Sequence, residues 1–142
     1  MRVNQSARHA IADAASRFAF SATPRLDAEM LMAHALGIDR GALLFDMDRA
    51  VPPGFAALVD RRAGGEPVAY ITGTRGFWSV DIAVGPGVLV PRVDSEALIE
   101  AAARHFGARP PRTILDLGTG PGTLLLAALD LWPDATGLGI DR

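Results

Sequence analysis

The sequence predicts an α+β chain in three parts: an N-terminal α-helical bundle over residues 1–73, a β-hairpin linker over 74–93, and the start of an α/β domain over 94–142. Three observations predict it. Apolar residues recur at helical spacing through the first part. The period shortens to about two at Phe77, Val80, Ile82 and Val84. Then Thr113-Ile114-Leu115-Asp116-Leu117-Gly118-Thr119-Gly120-Pro121-Gly122 reads as a buried strand, a glycine turn and a helix start, with Asp141 closing a second strand.

The elements follow in order. Ser6 to Phe20 is Ala-rich, with Ala7, Ile11, Ala14, Ala15 and Phe18 on one helical stripe. Thr23-Pro24 supplies a cap and a first-turn proline for a second helix, which Gly37 ends. Asp39 caps a short third helix through Leu43, Leu44 and Phe45. Pro52-Pro53 opens a fourth, carrying Phe55, Leu58 and Val59, which stops at Gly64-Gly65. Helices this short do not stand alone in water, so they pack on one another. Over Glu66 to Val90 the period changes: after the alternation at Phe77 to Val84, Gly85-Pro86-Gly87 is the expected turn and Val88-Leu89-Val90 the returning strand. Pro91 ends it, and Asp94 or Ser95 caps a helix through Leu98, Ile99 and Phe106. The last unit runs strand, glycine turn, helix from about Pro121 to Leu131, and strand from about Ala135 to Ile140.

Composition narrows the function classes. Hydrophobic residues make up 49% of the 142, enough for a core. No run approaches the ~18 apolar residues of a membrane span. Met1 to Ala10 lacks the apolar block of a signal peptide, so a cytoplasmic protein with no membrane partner is expected. The 14 basic residues are all Arg against 16 acidic ones. That balance gives no basic face for direct nucleic-acid binding. With no Lys and no Cys, Schiff-base chemistry, a phosphate-loop lysine, thiolate catalysis and disulfides are excluded. His9, His34 and His105 stand singly, without the spacing of a metal site.

The glycine turn carries the chemistry. A chain leaving a strand sharply needs residues that tolerate positive φ, and glycine also lets a ligand approach the backbone. Asp141 follows Gly118 by 23 residues, near the ~20 expected of an acid that accepts ribose hydroxyls. A dinucleotide site reads Gly-x-Gly-x-x-Gly/Ala. Here the spacing is Asp116-x-Gly118-x-Gly120-x-Gly122, with Thr119 and Pro121 between. Asp116 repels a phosphate but suits a cationic, phosphate-free ligand. S-adenosylmethionine fits that better than NAD. The pattern resembles motif I of the Rossmann-like class I methyltransferases. The plainer alternative is a glycine-rich turn that binds nothing.

Two upstream blocks sharpen the resemblance: Arg61-Arg62-Ala63-Gly64-Gly65-Glu66-Pro67-Val68-Ala69-Tyr70-Ile71-Thr72-Gly73 ahead of Phe77-Trp78, and Val88-Leu89-Val90-Pro91-Arg92-Val93-Asp94-Ser95-Glu96. With Asp116-Leu117-Gly118-Thr119-Gly120, their order is similar to that of the peptide-chain release factor glutamine methyltransferases, and it covers the whole chain. The resemblance implies methyl transfer from S-adenosylmethionine to the side-chain amide of the glutamine in the Gly-Gly-Gln loop of class 1 release factors. It implies that Asp116 and Gly118 to Gly122 line the cofactor, that Asp141 takes its ribose hydroxyls, and that Arg92, Ser95 and Glu96 lie on the substrate side. The helical part becomes a substrate-recognition domain, and the enzyme is expected to be a monomer.

The sequence departs from the family at Val93, where Pro is usual, at Ser95, where Thr is usual and the capping hydroxyl is kept, and at Pro121, often Thr. The family's Asn-Pro-Pro-Tyr motif, which grips the glutamine amide, has no counterpart in these 142 residues. No catalytic residue is therefore assigned. The α/β domain is expected to be incomplete, with Leu124, Leu125, Leu126, Leu129, Leu131 and Trp132 short of packing, and the 142-residue polypeptide inactive alone. The rival readings are a non-catalytic helical module that binds a protein, and another class I protein methyltransferase.

Of the remaining residues, Phe77 and Trp78 read better as hairpin core than as substrate contacts. Asp94 and Glu96 suit a helix N-terminus, and Arg61 and Arg62 a helix C-terminus; contact of these arginines with the acidic side of a release factor is the alternative.

Overall fold

The computed structural model describes residues 6–142, and the chain divides into two compact units, up to Thr72 and from Gly73 onward. The first unit is helical. Its elements are α1 (Ala7–Ser16), α2 (Pro24–Leu36), α3 (Arg40–Phe45), α4 (Phe55–Ala63) and α5 (Val68–Thr72). Ala7, Ile11 and Ala14 of α1 meet Leu31 and Met32 of α2, with Phe18, Leu43, Phe55, Val59 and Ile71 in the same cluster. The small Ala side chains let α1 and α2 approach, and burial of each large apolar side chain contributes about 1.5–3 kcal/mol.

Asp39 caps α3 as expected, its carboxylate accepting the Ala42 N–H at 2.9 Å. Gly37 ends α2, with the Ile38 N–H donating to the Ala33 carbonyl. Thr23 does not cap α2 with its side chain: its hydroxyl, like that of Ser21, donates to the Asp27 carboxylate instead. Pro52-Pro53 lies ahead of α4 rather than in it, and Gly54 is the residue before the first turn. Beyond the four expected helices the helical part holds a fifth, α5, opened by Pro67, whose carbonyl accepts from Tyr70 and Ile71.

Charges inside this unit are tied to one another. Glu29, 3% exposed, takes Arg25 on one oxygen and Arg40 on the other, at 2.9 and 2.8 Å. Arg62 donates to Asp27 and to the Glu66 carbonyl, and its guanidinium lies 4.7 Å from the Phe20 ring centroid. Arg61 pairs with the Glu66 carboxylate. Both arginines are thus engaged within the unit, as Asp27 and Glu29 are.

The second unit opens with an antiparallel hairpin, β1 (Thr74–Phe77) and β2 (Val80–Ala83), with Phe77 opposite Val80. Phe77 and Ile82 are each 2% exposed, so the hairpin core expected for Phe77 is present. The turn is not where glycine placed it. It lies at Trp78-Ser79, and Trp78, half-exposed, is the one non-glycine residue of positive φ (54°) among the described residues. Gly85-Pro86-Gly87 does turn the chain, with Val88 N–H donating to Gly85 O at 3.0 Å. Val88-Leu89-Val90 then runs as irregular chain rather than as the returning strand. A left-handed bulky residue costs about 1–3 kcal/mol. Here the Glu96 carboxylate accepts the Trp78 N–H at 2.8 Å, and a hydrogen bond to a charged group is of the same size, about 1.5–3 kcal/mol.

A 3-10 turn, Val93–Ser95, leads into α6 (Glu96–Phe106), followed by β3 (Thr113–Leu117), α7 (Thr123–Leu131) and β4 (Thr136–Ile140). Strands β3 and β4 run parallel, Asp116 opposite Gly139 and Leu117 opposite Ile140. On one face α7 sits close: a Cβ at Gly137 would stand 2.6 Å from a Leu125 methyl. The opposite face, Leu115, Leu117, Leu138 and Ile140, is 49–72% exposed. The apolar surface expected to be bare on α7 therefore lies mainly on the strands. Of the α7 leucines only Leu126 is exposed, while Trp132 packs edge-on against Phe106 at 5.5 Å.

Candidate functional site

The site is built where β3 ends. After Leu117 the chain reverses through Gly118 (φ 75°) and Gly120 (φ 53°), a conformation that a side chain makes costly. A Cβ at Gly118 would meet no atom within 4 Å, so backbone angle rather than crowding requires glycine there, and the space in front of it is open. The Ile140 carbonyl at the end of β4 accepts the N–H groups of Gly118 and Thr119, at 2.7 and 3.2 Å. That stitching brings Asp141 to the loop, where one carboxylate oxygen accepts the Gly120 N–H and the other the Arg142 N–H.

Both bonds favour the ionised carboxylate. The Arg142 N–H first, and the Gly120 N–H next, hold the Asp141 carboxyl below its ordinary value, against a smaller opposing cost of burial. Each oxygen keeps a lone pair, because a carboxylate offers about four acceptor sites and two are used. Asp116 is half-buried, one oxygen accepting the Thr119 hydroxyl at 2.9 Å. Thr119 in turn lies flat on β4: a Cβ at Gly139 would stand 2.7 Å from its hydroxyl oxygen. Gly139 was not legible as a site residue, and only the opposition of Asp116 to Gly139 across the sheet reveals it.

A cavity of about 440 Å³ opens beside the loop. Arg92 and Ser95 line one side, Asp116 and Gly118 through Pro121 the other. The structure thus brings Arg92, Ser95, Asp116, Gly118, Thr119, Gly120 and Pro121 together. Leu89, Val90, Thr123 and Leu124 also line it; for Leu89 and Val90 the strand expected over Val88–Val90 gives no sign of that role. Gly122 stands just outside as the residue before α7, so Pro121 precedes the helix and is not its first-turn proline. Asp141 reaches the lining through its bond to Gly120. Glu96 points elsewhere, onto Trp78, and the Ser95 hydroxyl makes no capping bond to α6. The lining combines a carboxylate, a guanidinium, a hydroxyl and bare backbone, a set suited to a small polar ligand with an amine and hydroxyls.

A second cavity, about 330 Å³, lies among Leu98, Phe106, Ile114, Leu124 and Trp132. It is mostly apolar and holds no arginine. Among the described residues no group of three or more His, Cys, Asp or Glu is placed to hold a metal, and no helix is long and apolar enough to cross a membrane.

Comparison with known proteins gives consistent matches. Residues 9–73 match the PrmC N-terminal domain family. The chain is 48% identical over 122 residues to a release factor glutamine methyltransferase of Rhodospirillum rubrum, covering 83% of this chain and 37% of that protein. Over 122 residues it is 42% identical to the protein of that name from Xylella fastidiosa (strain Temecula1), covering 83% and 44%. The Escherichia coli (strain K12) protein of the same name is 39% identical over 139 residues, 95% of this chain and 50% of that one. The chain thus spans about half, or less, of the length of these curated relatives.

Proposed function

We propose that this chain, which belongs to the release factor glutamine methyltransferase family, supplies the substrate-docking domain and the cofactor side of an enzyme that methylates the glutamine amide of the release factor Gly-Gly-Gln loop. The observation that carries the proposal is the cavity in which Arg92, Ser95 and Asp116 face a glycine loop tied to Asp141. The β3–α7–β4 unit is read as the opening of a Rossmann-like domain, with ligand placed beyond the strand ends, where such sheets bind.

The residues fit S-adenosylmethionine. That cofactor supplies an electrophilic methyl group on a sulfonium. The open space before Gly118 lets a ligand lie on the backbone. Asp116 provides negative charge for an ammonium and repels a phosphate, which disfavours NAD. The free lone pairs of Asp141 accept ribose hydroxyls, and the Arg142 and Gly120 N–H groups favour its ionised form. The helical unit, residues 9–73, docks the release factor. An amide nitrogen is a weak nucleophile, so the rate depends on alignment. No residue among these 142 is assigned to grip the amide. A cytoplasmic site of action fits a substrate used in translation.

The test has two arms. Isothermal titration of the chain with S-adenosylmethionine, and a pull-down with a class 1 release factor, are both expected to show binding. Release factor binding without cofactor binding would instead favour a non-catalytic docking module, and binding of neither would sink the proposal.

A further inference from the structure

We infer that Glu96 is a positioning residue for the cofactor cavity, acting through the strained hairpin turn at Trp78. The inference rests on the reading that the cavity takes S-adenosylmethionine. Glu96 was expected at the substrate, yet it does not line the cavity. Its carboxylate reaches 18 positions back along the chain to accept the Trp78 N–H. Trp78 holds a left-handed backbone that favours glycine, so the turn needs an outside anchor. The turn has two: the Ser79 hydroxyl donates to Asp130 of α7.

These anchors join the hairpin to α7, whose first turn lines the cavity, and to α6, which continues from the lining turn at Arg92 and Ser95. Glu96 is the first residue of α6 and continues directly from the Val93–Ser95 turn, closed by the Ser95 N–H on the Arg92 carbonyl at 3.1 Å. Arg92 and Ser95 are cavity wall, and so are Thr123 and Leu124 at the start of α7. A Glu96 side chain fixed on the hairpin therefore fixes Ser95 and Arg92 relative to the glycine loop.

The competing account is that an acid in the first turn of a helix simply complements its dipole. The two accounts separate by chemistry. Glu96→Asp keeps the charge at the helix start but shortens the reach to Trp78. Glu96→Gln loses the charge but keeps an acceptor oxygen at full length. Both variants suit a helix N-terminus and are expected to fold.

The experiment is calorimetric titration of the full chain with S-adenosylmethionine, with melting curves as a check on folding. Glu96→Asp is expected to weaken binding about tenfold, the size of one lost hydrogen bond to a charged group. Glu96→Gln is expected to stay within about threefold of the parent, a neutral hydrogen bond being the weaker. In a Trp78→Gly background, where the turn is unstrained, the Glu96→Asp loss should shrink. Parent-like binding by Glu96→Asp overturns the inference, as does Glu96→Gln binding as weakly as Glu96→Asp, which would assign the effect to charge. A parent chain that binds no S-adenosylmethionine overturns the cofactor reading itself, and the inference with it.

Discussion

The helical unit and the α/β unit spend their polar groups in opposite ways. In the first, Glu29 has two arginines, Arg62 has Asp27 and a carbonyl, and Arg61 has Glu66. In the second, Asp116, Arg92 and the glycine backbone face a cavity, and Leu115, Leu117, Leu138 and Ile140 face outward. These charges of the first unit are paired within it. The second keeps charge, strain and apolar area unspent. The difference teaches that charge held at a cavity wall, rather than charge as such, locates the site. A charged cluster that closes on itself is architecture.

Substitutions in the two units should therefore separate stability from binding. The largest stability effect is expected from Phe18→Ala, because Phe18 is fully buried; it should cost about 3–5 kcal/mol by urea titration of the helical signal. Arg62→Met comes next. It strands the Asp27 carboxylate, 13% exposed, at a cost of about 2–4 kcal/mol. A parent-like midpoint for Arg62→Met would show that Ser21 and Thr23 satisfy Asp27 unaided. In the α/β unit, Gly118→Val places a branched residue at φ 75°, a strain of about 1–3 kcal/mol. Loss of measurable S-adenosylmethionine binding with little change in the helical circular dichroism is expected.

Asp141→Ala should weaken the same binding about tenfold to a hundredfold, as removal of a charged acceptor does, and leave release factor capture intact. Loss of capture would break the division of labour. The smallest effect belongs to Glu66→Gln. The hydrogen bond from Arg61 holds the Glu66 carboxyl below its ordinary 4.5. Its contribution is complete above that value and fades as pH falls through the lower folded one. The variant should match the parent in acid beyond that range and lie slightly below it at neutral pH, as read by melting temperature.

Much of this was legible. Asp39 as a cap, Gly37 as a helix end, β3 and the glycine turn all rest on local chemistry that the sequence spells out. The hairpin turn was misplaced because Gly85-Pro86-Gly87 is a strong local signal, while Trp78 adopts a glycine-like angle only with a carboxylate from far along the chain. The α5 helix falls inside the part read as helical, but five residues carry too little periodicity to stand out as an element of their own. Glu96 was assigned by resemblance to the substrate side, and its bond to Trp78 is a tertiary fact. Gly139 looked like any strand glycine until pairing placed it under Thr119.

The uneven placement of indoles has a practical reach. The protein's two tryptophans, Trp78 and Trp132, both lie in the α/β unit, one at the hairpin turn and one against Phe106. Excitation at the red edge of protein absorbance therefore illuminates that unit alone, leaving the helical unit, with Tyr70 as its single phenol, dark. Fluorescence therefore follows the α/β unit without any label, beside a far-ultraviolet dichroism that sums the helices of both units.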